Sequence, residues 1–227
     1  MNLPNAITLA RIAAAPAIAA LPFSASWELR LLAFVLFIIA AVTDYYDGML
    51  ARTRGLVTNL GKLLDPLADK LLLLATLIPM YWLQQPASDI AVDDSLGGRG
   101  ACPFLTPLGT IRLPLWVVAL VLGRELFMTI FRQIAARRGI VIAAIGPAKW
   151  KTGFQCTWVG AAYFWFFALT LAADRGWTGA AWRYWAHVNG MIGALTMVAA
   201  VALTMYSLWL YLRRYGGVLV RRRAPST

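Results

Sequence analysis

A chain of 227 residues that is 60% hydrophobic and only 14% charged is not an ordinary soluble domain, where roughly a quarter of residues are charged. The length accommodates about six apolar helices of roughly 20 residues with short connections, leaving no soluble domain of useful size. The net charge of +11 does not indicate a nucleic-acid partner, because the positive residues flank apolar runs instead of forming one soluble basic face.

In chain order, Asn2 to Asn5 reads as a helix start, with Pro4 near the first turn and Asn5 as a cap. A first span is expected over residues 8–21, alanine-rich and interrupted by Pro16, a composition that favours close helix packing. A second, long span is expected over 27–54, and Gly55 to Asn59 breaks it. The third covers 60–83, with Pro66 placed to kink its early part. Residues 84–114 form a connection rich in Pro and Gly, long enough to hold a small hairpin or a membrane-surface segment. The fourth, fifth and sixth spans are expected over 115–138, 148–173 and 182–214. Trp177, Trp182, Tyr184 and Trp185 read as one interfacial belt, and Trp209, Tyr211 and Tyr215 as the other.

The fold class that follows is all-α: a polytopic integral membrane protein of six transmembrane helices in one membrane-embedded domain over residues 1–227. Basic residues gather at Arg52, Arg54 and Lys62, from Arg132 to Lys151, and from Arg213 to Arg223. The positive-inside rule puts these stretches, both termini and the tail 215–227 in the cytoplasm, and the loop 84–114 outside the cell membrane. The terminal arginines then face anionic headgroups. Cys102 and Cys156 fall in the outer loop and the fifth span, which does not make a disulfide pair. The N-terminus lacks a basic n-region and a small-residue cleavage site, so it reads as mature protein. His187, alone and on the outer side, reads as an interfacial residue.

The most informative feature is a set of carboxylates in apolar surroundings. They occur as Asp44-x-x-Asp47-Gly48-x-x-Ala51-Arg52, then eight residues, then Gly61-x-x-x-Asp65-x-x-x-Asp69. Acidic groups near a bilayer are costly and mark function. Spacings of three and four put each pair on one face of its helix, and two such helices face to face gather four anions at one membrane depth. Their repulsion at low dielectric is removed by divalent cations, and an oxygen-only donor set suits magnesium, manganese or calcium. Two such ions clamp a pyrophosphate and steady an attacking oxygen. Intramembrane acids also line ion pathways, so a divalent-cation transporter is the competing class. These charges, however, cluster at one face, with none continuing through the bilayer centre.

The same string resembles the signature of the CDP-alcohol phosphotransferases, with every fixed position and interval present. The resemblance implies that Asp44, Asp47 and Asp65 are the main ligands of two Mg2+ (or Mn2+) ions. Asp69, at the same metal site, would be the general base that deprotonates an acceptor hydroxyl. Gly48, Ala51, Arg52 and Gly61 would contact the CDP moiety: small residues allow close approach, and Arg52 offers a planar fork to phosphate.

Further segments are similar to the phosphatidylglycerolphosphate synthase branch of that family. They are Asn2-Leu3-Pro4-Asn5-Ala6-Ile7-Thr8 with Arg11-Ile12, Gly123-Arg124-Glu125, and Lys149-x-Lys151-Thr152-x-x-Gln155. Pro147-Ala148 departs from that branch, which usually has a lysine there. This resemblance implies CDP-diacylglycerol and glycerol 3-phosphate as substrates, with Arg124, Arg132, Lys149 and Lys151 binding the acceptor phosphate, and a homodimer. Flanking basic residues also anchor topology, and Glu125 reads as a neutralising neighbour of Arg124. Same-family chemistry with phosphatidylglycerol, inositol phosphate or another alcohol is the nearest alternative.

Overall fold

The computed structural model describes residues 3–53, 59–85, 101–140, 142 and 146–216. Within these, the side chains of residues 3, 4, 45, 47–53, 59–63 and 147–149 lie outside the description. Six long helices dominate: α1 (Leu3–Ala20), α2 (Trp27–Thr53), α3 (Asn59–Gln84), α4 (Leu115–Arg137), α5 (Gly146–Arg175) and α6 (Ala180–Tyr215). Their bounds fall within a few residues of those expected from the apolar runs. Pro16, Pro66 and Pro79 are all accommodated inside helices. Gly139 and Gly176, at φ +73° and +64°, take the left-handed conformation just beyond α4 and α5, where an L side chain is disfavoured.

Four helical stretches are long and apolar enough to cross a membrane: Asn5–Phe23, Leu64–Gln84, Trp150–Arg175 and Ala180–Tyr215. The other two long helices carry charges within their apolar runs. These are Glu28, Arg30, Asp44 and Asp47 on α2, and Arg124, Glu125 and Arg132 on α4. The protein is therefore an α-helical membrane protein in which the candidate site residues are shared between the two less apolar long helices, α2 and α4, and the more apolar α3 and α5.

The core is organised around α5, whose Trp158, Tyr163, Trp165 and Phe166 are at most 1% exposed. The Tyr163 hydroxyl reaches the carbonyl oxygens of Ile18 and Ala75 at 3.1 and 3.0 Å, tying α5 to α1 and α3. Hydroxyls of Thr43, Thr76, Thr129, Thr157, Thr170, Thr196 and Thr204 donate to carbonyls four residues back in their own helices. That arrangement satisfies them without water.

Helix α1 packs closely on both α2 and α3, which scarcely touch one another among the described residues. The expected face-to-face packing of the two aspartate-bearing helices is thus slight among the described residues, and α1 packs on both of them. Helix α5 in turn packs on α2 and α6.

At the end of the bundle away from the aspartates, the loop holds a two-stranded antiparallel hairpin, β1 (Phe104–Thr106) and β2 (Gly109–Ile111). It seats on α6 because Gly190 and Gly193 have no side chains. A Cβ on Gly190 would stand 1.8 Å from the Leu105 carbonyl oxygen, and one on Gly193 would stand 2.4 Å from the Phe104 ring. Nearby, Arg30 is buried: its Nε donates to Ser24 O at 2.8 Å and its Nη1 to Thr170 Oγ1 at 2.5 Å. The expected aromatic belts are only partly present. Trp182 stacks between Trp165 and Trp185 in the interior, with centroids at 5.8 and 5.6 Å, and Tyr211 is fully buried.

Candidate active site

Helix α1 presents a buried stripe with a spacing of three or four residues: Asn5, Thr8, Arg11, Ala15 and Ile18. Its first three members are polar and lie at the aspartate end. Arg11 Nη1 stands 2.5 Å from Asp44 Oδ1 and 3.5 Å from Asp69 Oδ1. Two oxygens that share one nitrogen in this way are no further apart than those distances together. Thr8 Oγ1 donates to Asp65 Oδ1 at 2.9 Å. Helices α2 and α3 thus supply Asp44, Asp65 and Asp69, and α1 draws them to one place. The gripping groups are buried, with the Arg11 side chain only 1% exposed. The carboxylates are open, at 44% for Asp44 and 61% for Asp69.

Asp47 follows Asp44 on α2 by three residues, and its side chain is outside the described set, as are those of Gly48, Ala51, Arg52 and Gly61. Among the described residues no three His, Cys, Asp or Glu side chains converge closely enough to hold a metal by themselves. Among the described residues the carboxylate donors at this end, from Asp44, Asp65 and Asp69, are oxygens and outnumber the one arginine in contact with them. That chemistry fits a hard divalent cation.

A second polar cluster joins α4, α5 and α6. Arg124 Nη1 donates to Glu125 Oε1 at 2.8 Å and Arg124 Nη2 donates to Ser207 Oγ at 3.0 Å. Lys151 Nζ donates to the same Glu125 oxygen. Arg124 and Lys151 are buried, at 7% and 5% exposure, and Glu125 is the carboxylate that neutralises both. Arg132 does not join them. Two turns further along α4, roughly 12 Å away along the axis, its guanidinium donates to the Tyr211 hydroxyl at 3.4 Å and lies over that ring. The Lys149 side chain is outside the described set.

Cys156 on α5 is within electrostatic reach of both clusters, of Asp44 and Asp69 and of Lys151. It also lines a cavity of about 580 Å³ between α2, α5 and α6, walled by Phe34, Phe37, Ile38, Phe164 and Ile192, with Tyr46 toward the aspartate end. An apolar groove thus runs from the middle of the bundle towards the carboxylates.

A profile of the CDP-alcohol phosphatidyltransferase family matches residues 1–220. The chain belongs to this family. It is also similar to individual proteins. Over 97% of its length it is 31% identical to a chloroplastic/mitochondrial CDP-diacylglycerol–glycerol-3-phosphate 3-phosphatidyltransferase of Arabidopsis thaliana. Over 70% of its length it is 38% identical to the Bacillus subtilis protein of the same name, and, over a further 70%-coverage match, 32% identical to a probable phosphatidylglycerophosphate synthase of Mycobacterium tuberculosis. The matched regions span 65%, 75% and 64% of those three proteins.

Thr8, Arg11 and Ser207 are members of these clusters that the sequence reading did not place in a site. The available signal was an arginine and a threonine three residues apart on a span otherwise read as small-residue packing, since a charged residue inside an apolar helix marks function.

Proposed function

We propose that this chain transfers the phosphatidyl group of CDP-diacylglycerol to glycerol 3-phosphate, giving phosphatidylglycerol phosphate and CMP. The observation that carries this reading is the presence of two charged stations within electrostatic reach of Cys156 on α5: open carboxylates at one, and a buried Arg124–Lys151 pair at the other. The names of the related proteins point the same way. Six membrane spans are proposed, with α2 and α4 crossing alongside the four more apolar stretches. Both termini, the tail 215–227 and the aspartate end face the cytoplasm, and the segment 84–114 faces outward. The chain acts as one catalytic domain and as a homodimer.

In this reading Asp44, Asp47, Asp65 and Asp69 hold two Mg2+ or Mn2+ ions, which when bound neutralise the pyrophosphate and the departing CMP. Gly48, Ala51, Arg52 and Gly61 receive the cytidine nucleotide. Arg124 and Lys151, with Lys149 and Arg132 at the rim, bind the acceptor's phosphate by charge-assisted hydrogen bonds. Asp69 takes the proton from the primary hydroxyl of glycerol 3-phosphate. That oxygen bonds to the phosphorus carrying diacylglycerol, and the bond from this phosphorus to the bridging oxygen breaks, its electron pair leaving with CMP. The apolar cavity beside Cys156 receives an acyl chain.

The test is CMP release by the purified protein in mixed micelles with CDP-diacylglycerol and Mg2+, acceptors being supplied one at a time. Release is expected with glycerol 3-phosphate, and Arg124→Ala is expected to raise the KM for that acceptor by about tenfold or more. Release only with phosphatidylglycerol, inositol phosphate or another alcohol would replace the acceptor and keep the chemistry. Passage of Mn2+ into vesicles without nucleotide lipid would favour a transporter instead.

A thiol probe checks the groove. Cys102 is fully buried and Cys156 is exposed, so maleimide is expected to label Cys156 alone, and CDP-diacylglycerol with Mg2+ to slow that labelling. An unchanged rate would put the lipid elsewhere.

A further inference from the structure

Among the described residues the two aspartate-bearing helices share few backbone contacts, although Asp44 and Asp69 meet side chain to side chain, so packing of α2 on α3 does not by itself hold the carboxylates in place. Carboxylates at low dielectric repel one another, and unsupported they would turn apart. The support comes from α1. Thr8 and Arg11, 1% and 3% exposed, approach from the buried side: Thr8 reaches Oδ1 of Asp65, and Arg11 reaches Oδ1 of Asp44 and of Asp69. Such a contact fixes a carboxylate's orientation without using up its donors. Thr8 does this without charge. Arg11 adds one positive charge between Asp44 and Asp69, which draws them together while the four-aspartate group stays net negative. Ala15 and Ile18 continue the same stripe into the core, so the polar grip stands on a rigidly packed helix.

We infer that Thr8 and Arg11 are positioning residues that hold Asp44, Asp65 and Asp69 in register to take up divalent cations. The inference rests on the reading of these aspartates as metal ligands. Groups that orient ligands from behind typically change metal affinity by about 10–100-fold when removed. A residue that only fills the core gives no such effect when replaced by an isostere. A plain counter-ion gives the opposite sign, because its removal unmasks the carboxylates and tightens cation binding.

The experiment is titration of the full-length detergent-solubilised protein with Mn2+ alone, free Mn2+ being counted by electron paramagnetic resonance. Thermal unfolding in chelator serves as the check on folding. Thr8→Val, equal in size but lacking the donor, is expected to weaken Mn2+ binding by about 10–100-fold, and Thr8→Ser, which keeps the hydroxyl, to restore it. Arg11→Gln, which keeps a hydrogen-bond donor without the charge, is expected to weaken binding as well. Unchanged affinity in Thr8→Val, no rescue by Thr8→Ser, or tighter binding in Arg11→Gln overturns the inference while leaving the metal site standing. Absence of Mn2+ binding by the unmodified protein overturns both.

Discussion

Asp69→Asn is expected to lower CMP release by about 10²–10⁴-fold, the usual contribution of a positioned general base. Asparagine preserves the size of the side chain and one oxygen but cannot accept the hydroxyl proton. The geometry separates Asp69 from Asp44 for this task. Arg11 holds Asp44 at 2.5 Å and Asp69 only at 3.5 Å, and Asp69 is the more open, at 61% against 44% exposure. A carboxylate positioned by a weaker ion pair and exposed to the acceptor suits proton transfer, whereas one tightly paired suits a fixed ligand. Radiolabelled CMP release with saturating glycerol 3-phosphate is the measurement. A loss smaller than about tenfold would assign the base elsewhere, and Mn2+ titration of the same variant separates lost chemistry from lost metal.

The second large effect concerns stability. Glu125 is the carboxylate shared by Arg124 and Lys151, both buried. Glu125→Gln leaves two cations facing one another without an anion, and removing one partner of a buried ionic group costs about 3–5 kcal/mol. Glu125 is itself 28% exposed, so the low end, about 3 kcal/mol, is expected. It should appear as a lower unfolding midpoint in detergent. Adding Lys151→Met removes one of the stranded charges, so the double variant should be more stable than the sum of the two single losses. Simple additivity would mean that water, and not Glu125, neutralises the pair.

The helices were readable because each is a long apolar run ended by glycine or a change of polarity, and a run of this kind has few folds open to it in a bilayer. The aspartates were readable because their spacing is fixed and their cost in apolar surroundings is high. The way in which they converge was not. Spacing assigns a residue to a helix face but does not say which helix lies next to it, so the packing of α1 on both α2 and α3 could only be seen in three dimensions. For the same reason Thr8 and Arg11 passed as part of a packing helix. Charge alone also does not give depth: Arg132, grouped with Arg124 by its charge, lies two turns further along α4 and engages Tyr211. Tyr211, assigned to an interfacial belt by residue type, faces the interior because α6 turns that side towards α4.

The hairpin's seat on α6 sets an order of assembly. Phe104 and Leu105 lodge against Gly190 and Gly193, more than eighty positions later in a chain that is synthesised from its N-terminus. The hairpin's two flanks can be tied to the end of α3 early, through Cys102 N to Leu83 O and Leu113 N to Gln84 Oε1, but the glycine seat that receives Phe104 and Leu105 exists only once the last helix arrives. The far end of the bundle is therefore sealed last. Early insertion builds the aspartate end first, since α1, α2 and α3 are all available before the hairpin has been made.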